Sequence, residues 1–103
     1  MLSINVQELQ QKINAGEDIQ LIDVREQREH ALYNIGGTLI PLGSLLENID
    51  KIARDKPVIF YCQKGIRSQV AIQRLQQKFN YTNLVNLNGG MTAWQKNGLS
   101  SKG

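Results

Sequence analysis

Val6, Leu9 and Ile13 recur at helical spacing behind Asn5, and Glu8 follows Asn5 by three residues. A capping box therefore predicts a helix over about residues 6–14, stopped by Gly16. Residues 19–24 are apolar and rich in β-branched side chains, and the stretch runs into charged Asp23, Arg25 and Glu26. This is the pattern of a buried strand that reaches a polar edge. Residues 38–42 form a shorter candidate of the same kind. Val58, Ile59, Phe60 and Tyr61 follow Pro57 and are apolar without alternation, as in a central parallel strand covered on both faces. From 67 to 79, Ala71, Leu75 and Phe79 lie four apart with Ile72 beside them, which makes one apolar stripe on a helix. Leu84 to Leu87 offers another strand, and Gly89-Gly90 opens a last helical stretch through Ala93 and Trp94 to Gly98.

Strands alternating with helices define an α/β class with a mainly parallel sheet. The chain has 103 residues, enough for a single core and too few for two, so one domain over 1–103 is expected, with residues 99–103 as a frayed tail. A hydrophobic fraction of 41% and a charged fraction of 20% fit an ordinary globular protein and argue against disorder. No apolar run approaches the length of a membrane span, and the first residues lack a basic segment followed by an apolar one, so a cytoplasmic protein is expected. The net charge of +3 is spread along the chain without an aromatic-interleaved basic stripe. A small anion or an acidic partner surface therefore fits better than nucleic acid. A monomer is the default expectation.

There is one cysteine, Cys62, so neither an internal disulfide nor a Cys-rich zinc site is available. It ends the apolar strand and opens the run Cys62-Gln63-Lys64-Gly65-Ile66-Arg67-Ser68, which leads into a helix. Unpaired amides gather at such a turn, and they favour the thiolate together with the positive helix end and the two nearby cations. Gly65 supplies backbone freedom for a tight cradle. Arg67, in the first helical turn, opposes the macrodipole, and an anionic ligand would remove that conflict. Taken singly, a strand-ending cysteine is more often a packing residue, and Lys64 and Gly65 are ordinary surface and turn residues. Their joint placement after one thiol favours chemistry.

These residues resemble the active loop of the rhodanese-like family: Cys, two variable positions, Gly, one variable position, then often Arg and Ser. Cys62, Gly65, Arg67 and Ser68 match that pattern. Leu21-Ile22-Asp23-Val24-Arg25-Glu26 is similar to the family's early strand motif, and Leu87-Asn88-Gly89-Gly90-Met91-Thr92-Ala93-Trp94 to its carboxyl-terminal one. The stretch from Asn34 to Leu42 is similar to rhodanese modules that accompany enzymes of thiamine and molybdopterin biosynthesis. The resemblance implies a five-stranded, mainly parallel sheet flanked by helices on both faces. It also implies that Cys62 carries sulfur as a covalent persulfide with no other cofactor and no metal. The amides of Gln63, Lys64, Gly65, Ile66, Arg67 and Ser68 would line the pocket, with Lys64 and Arg67 holding an anion such as thiosulfate. Asp23 and Arg25 would support the site through polar contacts, and Met91 and Trp94 would belong to the core. Many members have Gly-His-Ile where this chain has Tyr33-Asn34-Ile35. His30 is expected to be a solvated helix residue.

The reaction so implied is sulfur transfer from thiosulfate or another sulfane-sulfur donor through a Cys62 persulfide to cyanide, a thiol or a protein. The alternative is a relay that takes persulfide from a cysteine desulfurase and passes it to a protein carrier, with little activity on free thiosulfate. Phosphatase or arsenate reductase chemistry is disfavoured. Those enzymes place one more residue between Cys and Arg than the four found between Cys62 and Arg67, and the shorter loop is too narrow for a tetrahedral phosphate. An inactive structural module is the least expected, because the loop is intact.

Overall fold

The computed structural model describes residues 1–99. Its elements run in the order β1 (Leu2–Ile4), α1 (Val6–Asn14), β2 (Gln20–Asp23), α2 (Gln27–Leu32), β3 (Thr38–Leu39), β4 (Val58–Tyr61), α3 (Ile66–Phe79), β5 (Leu84–Leu87) and α4 (Gly90–Lys96), with two 3-10 turns, Leu42–Ser44 and Leu46–Lys51, between β3 and β4. Every strand pairing is parallel, and the sheet order is β1-β5-β4-β2-β3. The expected five-stranded α/β architecture is the one observed.

Asn5 caps α1 as expected: its side chain accepts from the Glu8 amide while Glu8 accepts from the Asn5 amide. β4 is buried at all four positions, which explains its unbroken apolar run. Val58 and Phe60 point into one core with Ile22, Val24, Ile40, Leu45, Ala71, Ile72 and Leu75. Ile59 and Tyr61 point into the other with Val6, Leu9, Leu87, Met91 and Trp94. Alternate residues of one strand thus hold α3 and the 3-10 segment on one face and α1 and α4 on the other.

Three expectations need correction. The strand anticipated over residues 38–42 is only Thr38–Leu39. Ile40 and Leu42 still donate to Asp23 and Val24 carbonyls, but Pro41 has no amide to give and the chain turns into 3-10 geometry at Leu42. β1 was not anticipated, because three residues at a sheet edge with two exposed carry no readable period. Leu99 is not frayed: it is half-buried against the α1–α4 core and its amide reaches the Trp94 carbonyl at 3.3 Å. The rest of the expected tail, residues 100–103, lies outside the described residues. Among the described residues no helix is long and apolar enough to cross a membrane.

From β2 the chain moves through α2 to β3 on one side of the sheet, and from β4 through α3 to β5 on the other. The carboxyl ends of β2 and β4 are therefore neighbours from which the connections diverge, the position where open α/β sheets form a crevice. Register places Asp23 beside Tyr61 there, so Arg25 and Cys62 leave adjacent strand ends.

Candidate active site

Cys62 leaves β4 into a loop that turns through Gly65, which has φ of +92° and forms the N-cap of α3. A Cβ at this position would also stand 3.1 Å from the Gly89 amide nitrogen, a tight contact, but it is the positive φ that favours glycine here. The turn aims donors at the sulfur. The Gly65 amide lies 3.1 Å from Cys62 Sγ, the Ser68 amide 3.4 Å and Ser68 Oγ 3.4 Å.

Cys62 is only 1% exposed, which alone would suit a packing cysteine. Burial by itself would push the thiol up. The Ser68 hydroxyl and the amides of Ser68, Gly65 and Lys64 outweigh it, and the thiol falls below its ordinary range. Cys62 lines a pocket of about 310 Å³ together with Glu29, Gln63, Lys64, Ile66 and Arg67.

The amino end of α4 braces this loop from behind. Met91 donates to the Cys62 carbonyl at 3.0 Å and Thr92 to the Gln63 carbonyl at 2.9 Å. Gly90 makes that approach possible, because a Cβ there would stand 2.3 Å from the Cys62 carbonyl oxygen. Ser68 is fixed in turn by Asn86 on β5, whose Oδ1 accepts its hydroxyl.

Asp23 and Arg25 form a second, buried layer. Arg25 donates to the Asp23 carboxylate from its backbone amide, Nε and Nη2; Nη2 also donates to the Tyr33 carbonyl, and Nη1 donates to Gln63 Oε1 at 3.1 Å. With both residues at 1% exposure or less, each charge depends on the other. Their contact with the sulfur loop runs through Gln63.

Two expectations change here. Arg67 lines the Cys62 pocket but is already paired: its guanidinium makes a bidentate pair with Glu29 at 2.7 and 2.8 Å. That carboxylate resolves the conflict of a cation in the first turn of α3. His30 is not simply solvated, since its Nδ1 lies 2.9 Å from Asp23 Oδ2 and its side chain is three-quarters buried. Glu29 and His30 come from α2, the helix that follows the β2 edge. Nothing at helical spacing from Arg67 signals a partner 38 residues away. The available clue was that the first turn after a functional strand edge packs beside the site. Asn86 was also missed, and a polar residue inside the apolar run of β5 was its signal. Lys64 is exposed at the rim, and Met91 and Trp94 are core residues as expected.

This arrangement defines a cysteine cradle at a parallel-sheet switch point. The model of the Rhodanese-like domain matches residues 5–97. The chain belongs to the rhodanese-like domain family. A sulfurtransferase of Allochromatium vinosum is 34% identical over 93% of this chain and 90% of its own length. YtwF of Bacillus subtilis, provisionally named a sulfurtransferase, is 37% identical over 89% of this chain and 88% of its own. Among solved structures, a rhodanese-like domain protein of Staphylococcus aureus superposes with a TM-score of 0.86 at 32% identity, covering 100% of both chains.

Proposed function

We propose that this chain is a sulfurtransferase in which Cys62 holds transferable sulfur as a persulfide. The carrying observation is the convergence of the Gly65 amide, the Ser68 amide and the Ser68 hydroxyl on the sulfur of a cysteine that lines an open pocket. Such donors stabilise a thiolate before attack and an anionic terminal sulfur after it. The thiolate attacks the outer sulfur of a donor such as thiosulfate. A new Cys62 S–S bond forms, the donor's S–S bond breaks, and its electron pair leaves with sulfite. An acceptor nucleophile, for instance cyanide or a thiol, then attacks the terminal sulfur and returns Cys62 as thiolate. The cycle requires no cofactor beyond the covalent persulfide. A free, unpaired thiol in this role fits a reducing, cytoplasmic setting.

The test is intact-protein mass after incubation with thiosulfate or, separately, with cysteine persulfide. The expected result is the added mass of one sulfur atom, removed by a reductant and absent from Cys62→Ser. Absence of that adduct with both donors would overturn the reading.

A further inference from the structure

The charges around the Cys62 pocket balance in an unequal way. Arg25 is neutralised by Asp23, both of them buried. Arg67 is neutralised by Glu29, which uses both carboxylate oxygens and itself lines the pocket. Among the described residues no carboxylate pairs with Lys64, so this exposed ammonium is the one uncompensated cation on the pocket wall. One cation against one thiolate leaves no surplus positive charge for an incoming dianion. The remaining wall is Gln63, whose side-chain amide is already engaged by Arg25 and Thr92, and Ile66, which is 68% exposed. The sec-butyl side chain of Ile66 cannot hydrogen-bond the oxygens of a sulfonate group, but it packs against carbon.

Resting on the sulfurtransferase reading, we propose that Glu29 is a specificity-determining residue: by cancelling Arg67 at the pocket wall it selects a low-molecular-weight organic persulfide, R–S–S⁻, over thiosulfate as sulfur donor. The Cys62 thiolate attacks the outer sulfur of R–S–S⁻. The new Cys62 S–S bond forms as the donor's S–S bond breaks, and R–S⁻ departs with the electron pair and takes a proton from water. Charge is conserved, and at no stage does the pocket hold more than one negative charge on the donor's reacting group. Thiosulfate brings two, and its leaving sulfite keeps both beside the Glu29 carboxylate.

Glu29 acts through charge, so the test separates charge from shape. Second-order rate constants for loading Cys62 are measured by intact mass with thiosulfate and with cysteine persulfide. Wild type is expected to load faster from cysteine persulfide. Glu29→Gln keeps an oxygen for Arg67 but removes the negative charge, and it should raise the thiosulfate-to-persulfide rate ratio by about tenfold. In that variant the thiosulfate rate should fall steeply with added salt, because an attractive field now operates. Glu29→Asp, which retains the charge, should restore the wild-type ratio. Lys64→Gln, on an exposed side chain, should move the ratio the opposite way, and it keeps the proposal falsifiable should Glu29→Gln fail to fold. A ratio that stays constant in Glu29→Gln, or in Lys64→Gln where that variant alone folds, would overturn the proposal, as would a wild type that prefers thiosulfate. No loading from either donor in wild type would instead overturn the sulfurtransferase reading itself.

Discussion

Ser68 Oγ lies 3.4 Å from Cys62 Sγ while donating its single proton to Asn86 Oδ1. In that state the cysteine is the donor, as a thiol giving its proton to Ser68. Once Cys62 ionises, the hydroxyl proton can turn to the sulfur instead, so this one hydrogen follows the protonation of the nucleophile. Ser68→Ala removes that response and leaves a buried Asn86 oxygen without its donor. It should raise the Cys62 titration point, followed by ultraviolet thiolate absorbance. It should also cost about 1 to 3 kcal/mol of stability, read from denaturant unfolding. An unshifted thiol titration in a folded Ser68→Ala would show that the backbone amides suffice.

The lowered Cys62 pKa sets the direction of a rate profile. Alkylation and sulfur loading follow the thiolate fraction, so both should rise with pH and level off at a midpoint below that of a free cysteine. The linkage to folding has the sign of a depressed acid. Stabilisation by the ionised thiol is complete above the unfolded-state pKa and is lost as pH falls through the folded one. Iodoacetamide kinetics across pH measure the midpoint, and a value at or above that of an unfolded control peptide would contradict the donor count at Sγ.

Glu29 makes a separate, acid-side prediction. The bidentate Arg67 bonds hold its carboxyl down to about 2 from 4.5. This group therefore stabilises the fold above about pH 4.5 and loses that contribution as pH falls toward 2. The pair is partly solvated, so the effect is about 1 kcal/mol after screening. The melting temperatures of wild type and Glu29→Gln should differ at neutral pH and converge in acid. Curves that stay a fixed interval apart down to the lowest accessible pH would show that the stability difference does not come from ionisation of Glu29.

The elements that could be read from sequence were those whose burial imposed a period or an unbroken apolar run. Asn5 and Glu8 announced α1, Val58 to Tyr61 announced the central strand, and the spacing of Ala71 and Leu75 announced α3. The cradle was legible because its donors are local: Gly65 and Ser68 belong to the same turn as Cys62. What escaped was made by distant residues. Glu29 reaches Arg67 and His30 reaches Asp23 only because β2 and β4 are adjacent and α2 folds over their ends. Strand adjacency is a property of topology, and no spacing within either segment encodes it.

Gly90 tests whether the carboxyl-terminal motif acts on the sulfur or merely completes the core. Its φ is +54°, and an added Cβ would meet the Cys62 and Gln63 carbonyl oxygens at 2.3 and 2.8 Å. Both obstacles are backbone, so relief requires α4 and the sulfur loop to separate, which stretches the Met91 and Thr92 bonds to those same carbonyls. Gly90→Ala should cost about 2 to 4 kcal/mol and lower the melting temperature by at least about 10 °C. Because the loop that aims the Gly65 and Ser68 amides moves with it, the Cys62 titration should also shift upward. Gly98→Ala supplies the comparison: its φ is +68° but nothing lies within 4 Å of the added carbon. That variant bears backbone strain alone, so it should lose some stability while the thiol titrates as in wild type. If the two variants shift the thiol equally, α4 does not position the nucleophile, and the amides at Cys62 owe their aim to the turn at Gly65 alone.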